Sequence, residues 1–320
     1  MVTAEEIVNR LRGTDRRTLP RLATLIENGD QRGLDILDQL VPLTGSAHIV
    51  GVTGPPGAGK SSLISQLIKS FRQEDRRVAV LAIDPSSTLT GGAVLGDRIR
   101  MLEHQHDAGV FLRSMASRGR RGGLAWATSG LVHLLDAAGF DVILVETVGV
   151  GQDGGDIANL ADTVVVVEAP GMGDGVQAIK SGLLELGDVV VVNKSDLSGA
   201  AETLRHLRAA FALGQPAAAW RVPIVAVSGM TGEGIPDLGA AIGEHAQWLK
   251  ESGQLELRRE QAAQTEVLAG LRTELERRLN LQTGNDVQLR EIVKQVARRD
   301  RSAHRAVSEL VSRFDLSFAS

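Results

Sequence analysis

An eight-residue segment, GPPGAGKS at residues 54–61, constrains the fold of this chain more than any other feature. It matches the pattern G-x-x-x-x-G-K-[ST], and it lies between a short apolar run at 49–52 and an amphipathic segment at 62–71. In this setting the glycines let backbone N–H groups turn toward phosphate oxygens, and the helix N-terminus adds partial positive charge. A chance glycine-rich turn would lack these flanks. We therefore predict a phosphate-binding loop between a strand and a helix.

Seven short apolar runs alternate with segments of helix length between residues 48 and 250. The runs are nearly continuous and rich in β-branched residues, which is typical of strands covered on both faces. This alternation predicts an α/β fold with a doubly wound, mostly parallel sheet, whose ligands bind at the carboxyl ends of the strands. The predicted strands are His48–Thr53, Val78–Ile83, Val110–Leu112, Val142–Val145, Thr163–Val167, Val189–Val192 and Ile224–Val227.

Helical patterns flank this region and predict an extension at each end. Residues 1–45 carry leucines at helical spacing and form the predicted N-terminal extension, and residues 46–250 form the predicted P-loop domain. Residues 251–320 are rich in Arg, Glu and Gln and form the predicted C-terminal extension, with one long helix and a connection at 280–285. The leucine stripe of this tail leaves two interpretations open, packing on the core or dimerisation.

The composition of the chain excludes several kinds of chemistry and limits where in the cell we expect the protein. The 320 residues include no cysteine, which excludes disulfides, thiolate zinc sites and a cysteine nucleophile. A formal net charge of −4 gives no electrostatic footprint for DNA or RNA. The chain has no apolar stretch of about 20 residues that would span a membrane, and its mixed-charge N-terminus is unlike a secretory signal. We therefore expect a cytoplasmic protein with neither a nucleic-acid partner nor a membrane partner.

Each position of the phosphate-binding loop has an expected task. Lys60 is predicted to reach the β- and γ-phosphates and to act in catalysis, and the Ser61 hydroxyl oxygen is predicted to bind Mg²⁺. The remaining positions supply backbone N–H groups and the start of the helix. The predicted nucleotide-binding residues of this segment are Gly54, Pro55, Pro56, Gly57, Ala58, Gly59, Lys60, Ser61 and Ser62.

A second motif, NKSD at residues 193–196, follows the predicted strand Val189–Val192. The Asp196 carboxylate can accept hydrogen bonds from N1–H and the 2-amino group of guanine, whereas adenine would leave it unpaired. We expect Asn193 to connect neighbouring loops and the stem of Lys194 to cover the base plane. A surface Asx turn is the alternative interpretation. A further base-contacting loop is expected at Ser228 and Gly229, after the last predicted strand.

Acidic residues follow two more of the predicted strands. Asp84 and Glu146 each come at the end of a strand, and Asp97 lies in the segment after Asp84. Carboxylates near a phosphate site can hold Mg²⁺, so the predicted metal set is Ser61, Asp84, Asp97 and Glu146. Asp84 could instead begin a turn before Pro85, and Asp97 could cap a helix. Gly149 is expected to sense the γ-phosphate, and Glu146, Asp97 and Gln152 are three candidates for orienting the attacking water.

Together these motifs resemble the methylmalonyl-CoA mutase-associated GTPases, the MeaB/ArgK family of P-loop G proteins. The resemblance spans nearly all of residues 48–245. The segments that carry it, in order, are Gly51–Ser62, Val80–Met101, Arg113–Thr128, Phe140–Gln152, Pro170–Lys180, Asp188–Asp196 and Thr231–Ile235. The chain departs from the family at residues 152–156, where QDGGD replaces the usual QDEVD-like run, and at Ser228-Gly229, where Ser-Ala is usual.

The resemblance implies a GTPase switch that binds GTP and GDP with Mg²⁺ and acts as a chaperone of an adenosylcobalamin-dependent acyl-CoA mutase. Such proteins gate cofactor loading and protect or reactivate the mutase. It also implies a homodimer and a further nucleotide-responsive loop at Pro170–Lys180. Two other functions remain open at this point: a P-loop small-molecule kinase or ATPase, and a nucleotide-dependent scaffold without significant turnover. The NKSD motif argues against the kinase because it selects guanine.

Overall fold

The structure, a computed structural model, describes residues 4–12, 17–84, 102–116, 121–147, 157–171, 184–214, 220–283 and 287–313. Its centre is a sheet of seven parallel strands in the order β3-β2-β4-β1-β5-β6-β7. This arrangement confirms the predicted α/β class and the doubly wound sheet. The strands are β1 (His48–Thr53), β2 (Val78–Asp84), β3 (Val110–Ala116), β4 (Val142–Thr147), β5 (Thr163–Glu168), β6 (Val189–Val192) and β7 (Ile224–Ala226).

Several strands extend past the apolar runs that predicted them. The runs ended at Leu112, Val145 and Val167, whereas β3 continues to Ala116, β4 to Thr147 and β5 to Glu168. The added residues include polar side chains. Because the strands were predicted from runs of apolar residues, these positions were not counted, although the backbone pairing continues through them. Glu168, for example, pairs with Val192 of the neighbouring strand.

Helices cover both faces of the sheet. The front face, defined by Val50, Val52, Leu144 and Val165, packs against α4 (Lys60–Gln73), which we call the P-loop helix. The helices are α1 (Ala4–Arg12), α2 (Thr18–Glu27), α3 (Gln31–Leu40), α4, α5 (Arg121–Ala137), α6 (Ala200–Gly214), α7 (Ile235–Glu251), α8 (Gln254–Thr283), α9 (Val287–Ala297) and α10 (Ala303–Arg313). Helix α7 also lies on the front face, and α5 and α6 lie on the back face.

The N-terminal segment forms the helices that its leucine spacing predicted. Helices α1, α2 and α3 bury Leu11, Leu22, Ile26 and Leu40 in the same apolar cluster as α5 and the back face of β2 and β4. At Gly130 of α5 an added Cβ would approach Ile26 to 2.9 Å. The N-terminal helices therefore share the core of the sheet.

The C-terminal region is mainly helical, as expected. Helix α8 runs without interruption to Thr283, so the connection predicted at 280–285 begins later than expected. Contacts divide the chain into one unit of residues 1–269 and a second of residues 270–320. In the second unit α9 and α10 contact each other, and Ile292 and Ala306 are buried. The boundaries 1–45, 46–250 and 251–320 stay predictions.

Among the helices of the described ranges, none is long and apolar enough to cross a lipid bilayer.

Candidate functional site

The segment 54–61 forms a tight loop at the carboxyl end of β1 and runs directly into the P-loop helix. Gly54 has φ +145° and Gly59 has φ +87°, both in the region that favours glycine. An added Cβ at Gly54 would overlap the carbonyl oxygen of Val167, and one at Gly59 would overlap Nδ2 of Asn193. The loop therefore needs glycine at both positions, for its backbone conformation and for close packing.

Lys60, the first residue of the P-loop helix, is buried and turns its ammonium group back into the loop. Its Nζ donates to the carbonyl oxygens of Gly54 at 2.9 Å and Pro55 at 3.2 Å. These carbonyl oxygens are neutral, so they attract the ammonium group less strongly than anionic phosphate oxygens would. The geometry thus presents a cation at the place where the phosphates of a nucleotide are expected.

Two of the four predicted metal ligands lie together in the structure. The Ser61 hydroxyl donates to Oε1 of Glu146 at 2.7 Å, and both side chains are buried. Glu146 pairs with Ala82 of β2 in the register of the sheet, so the backbone of Asp84 ends the neighbouring strand at the same edge. The side chain of Asp84 and all of Asp97 lie outside the described residues.

The donor set at this place suits Mg²⁺. Serine and carboxylate oxygens are hard ligands, and Mg²⁺ takes only one or two carboxylates while keeping several waters. In the described part of the chain no group of three or more His, Asp and Glu side chains could hold a metal ion by itself. Ser61 and Glu146 therefore fit a site that the nucleotide phosphates and waters would complete.

Asn193, which follows β6, connects the phosphate loop to the loop after β7. Its side-chain amide donates to the carbonyl oxygens of Ala58 at 2.8 Å and Gly59 at 3.3 Å. Its Oδ1 accepts the N–H of Gly229 at 2.9 Å. The buried side chain thus forms the connection between loops that the sequence predicted for it, and it fixes the spacing between the two ends of the site.

The remaining NKSD residues form a turn held against β7. Lys194 adopts φ +57°, and the N–H of Ser195 donates to the carbonyl oxygen of Val227 at 2.9 Å. Asp196 is exposed at this edge. Ser228 Oγ accepts the N–H of Thr231 at 3.2 Å, which shapes the loop that carries Gly229. The predicted base-contacting residues therefore lie on two adjacent loops that Asn193 joins.

The predicted residues Gly149 and Gln152, like Lys180 of the Pro170–Lys180 loop, lie outside the described residues.

Three polar residues that sequence reasoning missed lie at the same edge of the sheet. Thr53, Thr147 and Glu168 end the adjacent strands β1, β4 and β5, and each is less than a tenth exposed. Burial raises the pKa of the Glu168 carboxyl to about 7. The available signal was weak: a glutamate that closes the run TVVVV looks like an ordinary strand terminus.

A comparison with protein families finds a match over most of this chain. The model described as methylmalonyl-CoA mutase-associated GTPase MeaB matches residues 19–283. A Pyrococcus horikoshii protein that is named for GTPase activity is 50% identical over 270 residues, which are 83% of this chain and 85% of that protein. The Escherichia coli GTPase ArgK is 36% identical over 267 residues, which are 81% of each protein.

A solved structure shares nearly the whole architecture. The crystal structure of a LAO/AO transport system kinase superposes with a TM-score of 0.72 and 27% sequence identity, and the match covers 97% of each chain.

Proposed function

The chain belongs to the MeaB family of methylmalonyl-CoA mutase-associated GTPases, and from this premise we propose that it is a Mg²⁺-dependent GTP switch for an adenosylcobalamin-dependent acyl-CoA mutase. In this function it binds GTP, hydrolyses it to GDP and phosphate, gates the loading of the mutase with its cofactor, and protects or reactivates the mutase. The proposed nucleotide binding is supported mainly by one observation. The Asn193 side chain forms a hydrogen-bonded bridge between the phosphate loop and the base-contacting loop.

Guanine selection in this proposal depends on Asp196. Its exposed carboxylate follows the bridge residue Asn193, so the bridge sets its distance from the phosphate loop. Two hydrogen bonds from guanine would satisfy the carboxylate, whereas adenine would leave it desolvated and unpaired. Lys194 covers one side of the base, and Ser228 and Gly229 contact its edge.

Phosphate binding and catalysis depend on the first turn of the P-loop helix. Lys60 exchanges its two carbonyl partners for the β- and γ-phosphates and stabilises the charge that develops on the transferred group. Ser61 and Glu146, with Asp84 and Asp97, would hold Mg²⁺, which when bound neutralises charge on the β- and γ-oxygens. Glu146, Asp97 and Gln152 are the candidates for orienting the attacking water, and Gly149 senses the γ-phosphate.

The proposal also includes a mutase partner, a homodimer and a location in the cell. The support for the mutase is the family description, which names association with methylmalonyl-CoA mutase. We assign the nucleotide-responsive contact with it to Pro170–Lys180. The proposed homodimer uses the C-terminal helices, where Val267, Leu268 and Leu271 of α8 are exposed apolar side chains. A cytoplasmic location belongs to the same proposal.

A kinase is the second candidate, and its support is that the similar solved structure bears the name of a transport system kinase. The two candidates differ in where the γ-phosphate goes. A switch releases it to water, whereas a kinase transfers it to an acceptor. The NKSD turn with its exposed carboxylate favours the guanine switch over an ATP-dependent kinase.

The proposal is tested by measuring phosphate release from GTP with and without a purified apo acyl-CoA mutase. We expect slow intrinsic hydrolysis, on the order of 10⁻⁴ to 10⁻² s⁻¹, and clear stimulation by the mutase. Lys60→Ala should abolish turnover, and Asp196→Asn should shift preference from GTP to xanthosine triphosphate. If the mutase does not change the rate of GTP hydrolysis and the two proteins form no complex in gel filtration, the chaperone role is wrong. The GTPase assignment would still stand. If the Asp196→Asn variant still prefers GTP, Asp196 is not the residue that selects guanine.

A further inference from the structure

The last described stretch of the chain, residues 287–313, carries a strong positive charge. It contains seven arginine or lysine residues and three acidic residues, which gives it a net charge of +4, whereas the whole chain has a net charge of −4. This charge lies on α9, on α10 and on the turn between them. The family match at residues 19–283 ends before α9 begins, so the family description assigns no task to these two helices.

The positive charge is concentrated where α9 ends and α10 begins. Arg298, Arg299 and Arg305 are all exposed there, and we call these three residues the arginine cluster. In the part of the chain that the structure describes, none of their guanidinium groups has a hydrogen bond or an ion pair. The neighbouring Arg301 differs, because its guanidinium binds the Glu309 carboxylate at 2.6 Å. The cluster therefore presents three guanidinium groups to solvent without a carboxylate bound to them.

Arg299 occupies a backbone position that glycine fills in most helices of this kind. It has φ +64°, and its N–H donates to the carbonyl oxygen of Val296 at 3.1 Å. The N–H of Asp300 donates to the carbonyl oxygen of Gln295 at 2.9 Å. This pair of hydrogen bonds is the Schellman motif, whose left-handed residue is usually glycine because a Cβ is disfavoured there. The chain thus keeps a strained arginine whose guanidinium binds no other described residue, which indicates a task outside the chain.

The surroundings of the arginine cluster favour an acidic protein surface as its partner. Guanidinium groups match carboxylates in shape and charge, and arginine is enriched at protein interfaces whereas lysine is depleted there. Val293 of α9 and Val307 of α10 are each 57% exposed, so apolar surface is available beside the charge. Residues 287–313 include no tryptophan, tyrosine or phenylalanine. Such rings anchor helices on membrane surfaces and stack on the bases of single-stranded nucleic acids, so their absence from this stretch argues against both of those partners.

We propose that the arginine cluster is a docking site for a carboxylate-rich surface of the acyl-CoA mutase. The inference rests on the proposed function, since the mutase is the partner that this function names. It adds a second contact to the nucleotide-responsive one assigned to Pro170–Lys180. Attraction between the cluster and the carboxylates steers the two proteins together, and the ion pairs that form on contact slow their separation.

Loss of the whole cluster should weaken mutase binding by about tenfold, because each exposed ion pair contributes only modestly to affinity. Most of this loss should appear as slower association, since charges at the rim of an interface act mainly on the approach of the partners. Salt screens exposed charges, so a high KCl concentration should reduce the difference between the wild type and the variant.

The test measures association and dissociation of purified apo mutase with whole-chain variants by biolayer interferometry, at low and high KCl concentration. Arg299→Gly removes the charge and the backbone strain together, so it should bind the mutase more weakly while its thermal unfolding midpoint stays equal or rises. Asp75→Gly is the matched control. Asp75 is exposed, has φ +60°, and follows α4 with the same pair of hydrogen bonds, from its own N–H and from that of Arg76. This control should relieve similar strain and bind the mutase like the wild type.

A triple variant, Arg298→Gln with Arg299→Gly and Arg305→Gln, should show the full loss of affinity and a weaker dependence on KCl. Its control is Arg205→Gln with Arg208→Gln, which removes two exposed arginines of α6. A structural role of the cluster predicts that Arg299→Gly, with its relaxed backbone, binds the mutase at least as well as the wild type. A general effect of positive charge predicts that the α6 control also loses affinity. Either result would overturn the inference.

If the triple variant binds the mutase as tightly as the wild type does, the inference is wrong and the proposed function still stands. If the wild type binds no mutase with GTP, with GDP or without nucleotide, the proposed mutase role is wrong and the inference fails with it. A changed elution volume of the triple variant in gel filtration would place the cluster at the homodimer interface instead. Vesicles of phosphatidylcholine and phosphatidylserine, and duplex DNA, are the remaining probes. If either binds the wild type but not the triple variant, while the mutase binds both proteins equally, the partner is not an acidic protein and the inference is wrong.

Discussion

At the residue scale, the site depends on how closely two loops approach. Gly59 and Asn193 define that approach, because the Asn193 amide occupies the space that a Cβ at Gly59 would need. The same amide binds the carbonyl oxygen of Gly59. A single methyl group at this place would therefore disturb the phosphate loop and the base-contacting turn together.

Gly59→Ala should reduce GDP affinity by about tenfold or more. A positive φ costs a non-glycine residue roughly 1–2 kcal/mol, and the new Cβ would also displace the Asn193 amide. Gly29→Ala is the matched control, since Gly29 has φ +66° with nothing within 4 Å of an added Cβ. It should lose a similar amount of backbone stability and keep full GDP affinity. Urea unfolding measures the loss of stability, and fluorescent GDP titration measures the loss of affinity. If Gly59→Ala and Gly29→Ala lost the same GDP affinity, the contact between residue 59 and the Asn193 amide would not matter for binding.

At the element scale, aspartates at the starts of the strands fix the edge of the sheet opposite the nucleotide site. Asp141, Asp162 and Asp188 each precede a strand, and each accepts a backbone N–H from a neighbouring strand or from the residue just before it. Two adjacent arginines of α8 then bind two of these carboxylates. Arg258 contacts Asp188 at 2.6 and 2.7 Å, and Arg259 contacts Asp162 twice at 3.1 Å.

Arg258→Met should destabilise residues 1–269 by about 3 kcal/mol, because it leaves the buried Asp188 carboxylate without its two-pronged partner. Arg258→Lys should recover part of the loss, since it restores the charge without the fork. Arg32→Met, which breaks the exposed pair with Asp30, should leave the unfolding midpoint unchanged. Urea unfolding compares the three variants. An Arg258→Met midpoint equal to that of Arg32→Met would show that this ion pair does not secure α8.

The sequence was sufficient to predict the strands and the two nucleotide motifs, because their information is local. Runs such as TVVVV specify a buried strand by composition, and GPPGAGKS specifies a loop by its glycines. The contacts of Arg258 and Arg259 were not predictable. They join residues 70 and 97 positions apart, and on α8 these arginines look like any charged surface pair. The burial of Glu168 was hidden for a related reason, since only the packed sheet shows it.

At the scale of the whole molecule, the two edges of the sheet carry buried groups whose pKa values shift in opposite directions. At the nucleotide edge, burial raises the pKa of Glu168 to about 7. At the opposite edge, burial lowers the pKa of His245 to about 4, and the ring contacts both Trp220 and Trp248. Thr163 Oγ1 lies 2.8 Å from His245 Nδ1, so the neutral ring takes part in a hydrogen bond inside the core.

Each of these two groups makes its own contribution to how stability changes with pH. Unfolding restores the ordinary pKa of His245, 6.5, so the unfolded chain gains a proton first and stability falls as pH drops from 6.5 to 4. Glu168 acts in the opposite direction, since the folded chain retains its proton up to about pH 7 and stability falls as pH rises from 4.5 to 7. Between pH 4.5 and 6.5 the two contributions oppose each other, and above 6.5 only that of Glu168 remains.

Glu168→Gln should therefore be about 3 kcal/mol more stable than the wild type at pH 8, relative to the difference at pH 4, because a shift of one pKa unit corresponds to about 1.4 kcal/mol. The gain should develop between pH 4.5 and 7, where the wild-type carboxyl loses its proton at a cost that the amide never meets. Urea unfolding of both proteins at half-unit pH intervals measures it, with Glu251→Gln as the exposed control. If the difference in unfolding free energy between the wild type and Glu168→Gln stayed constant from pH 4 to 8, the Glu168 carboxyl would ionise as freely in the folded chain as in the unfolded one.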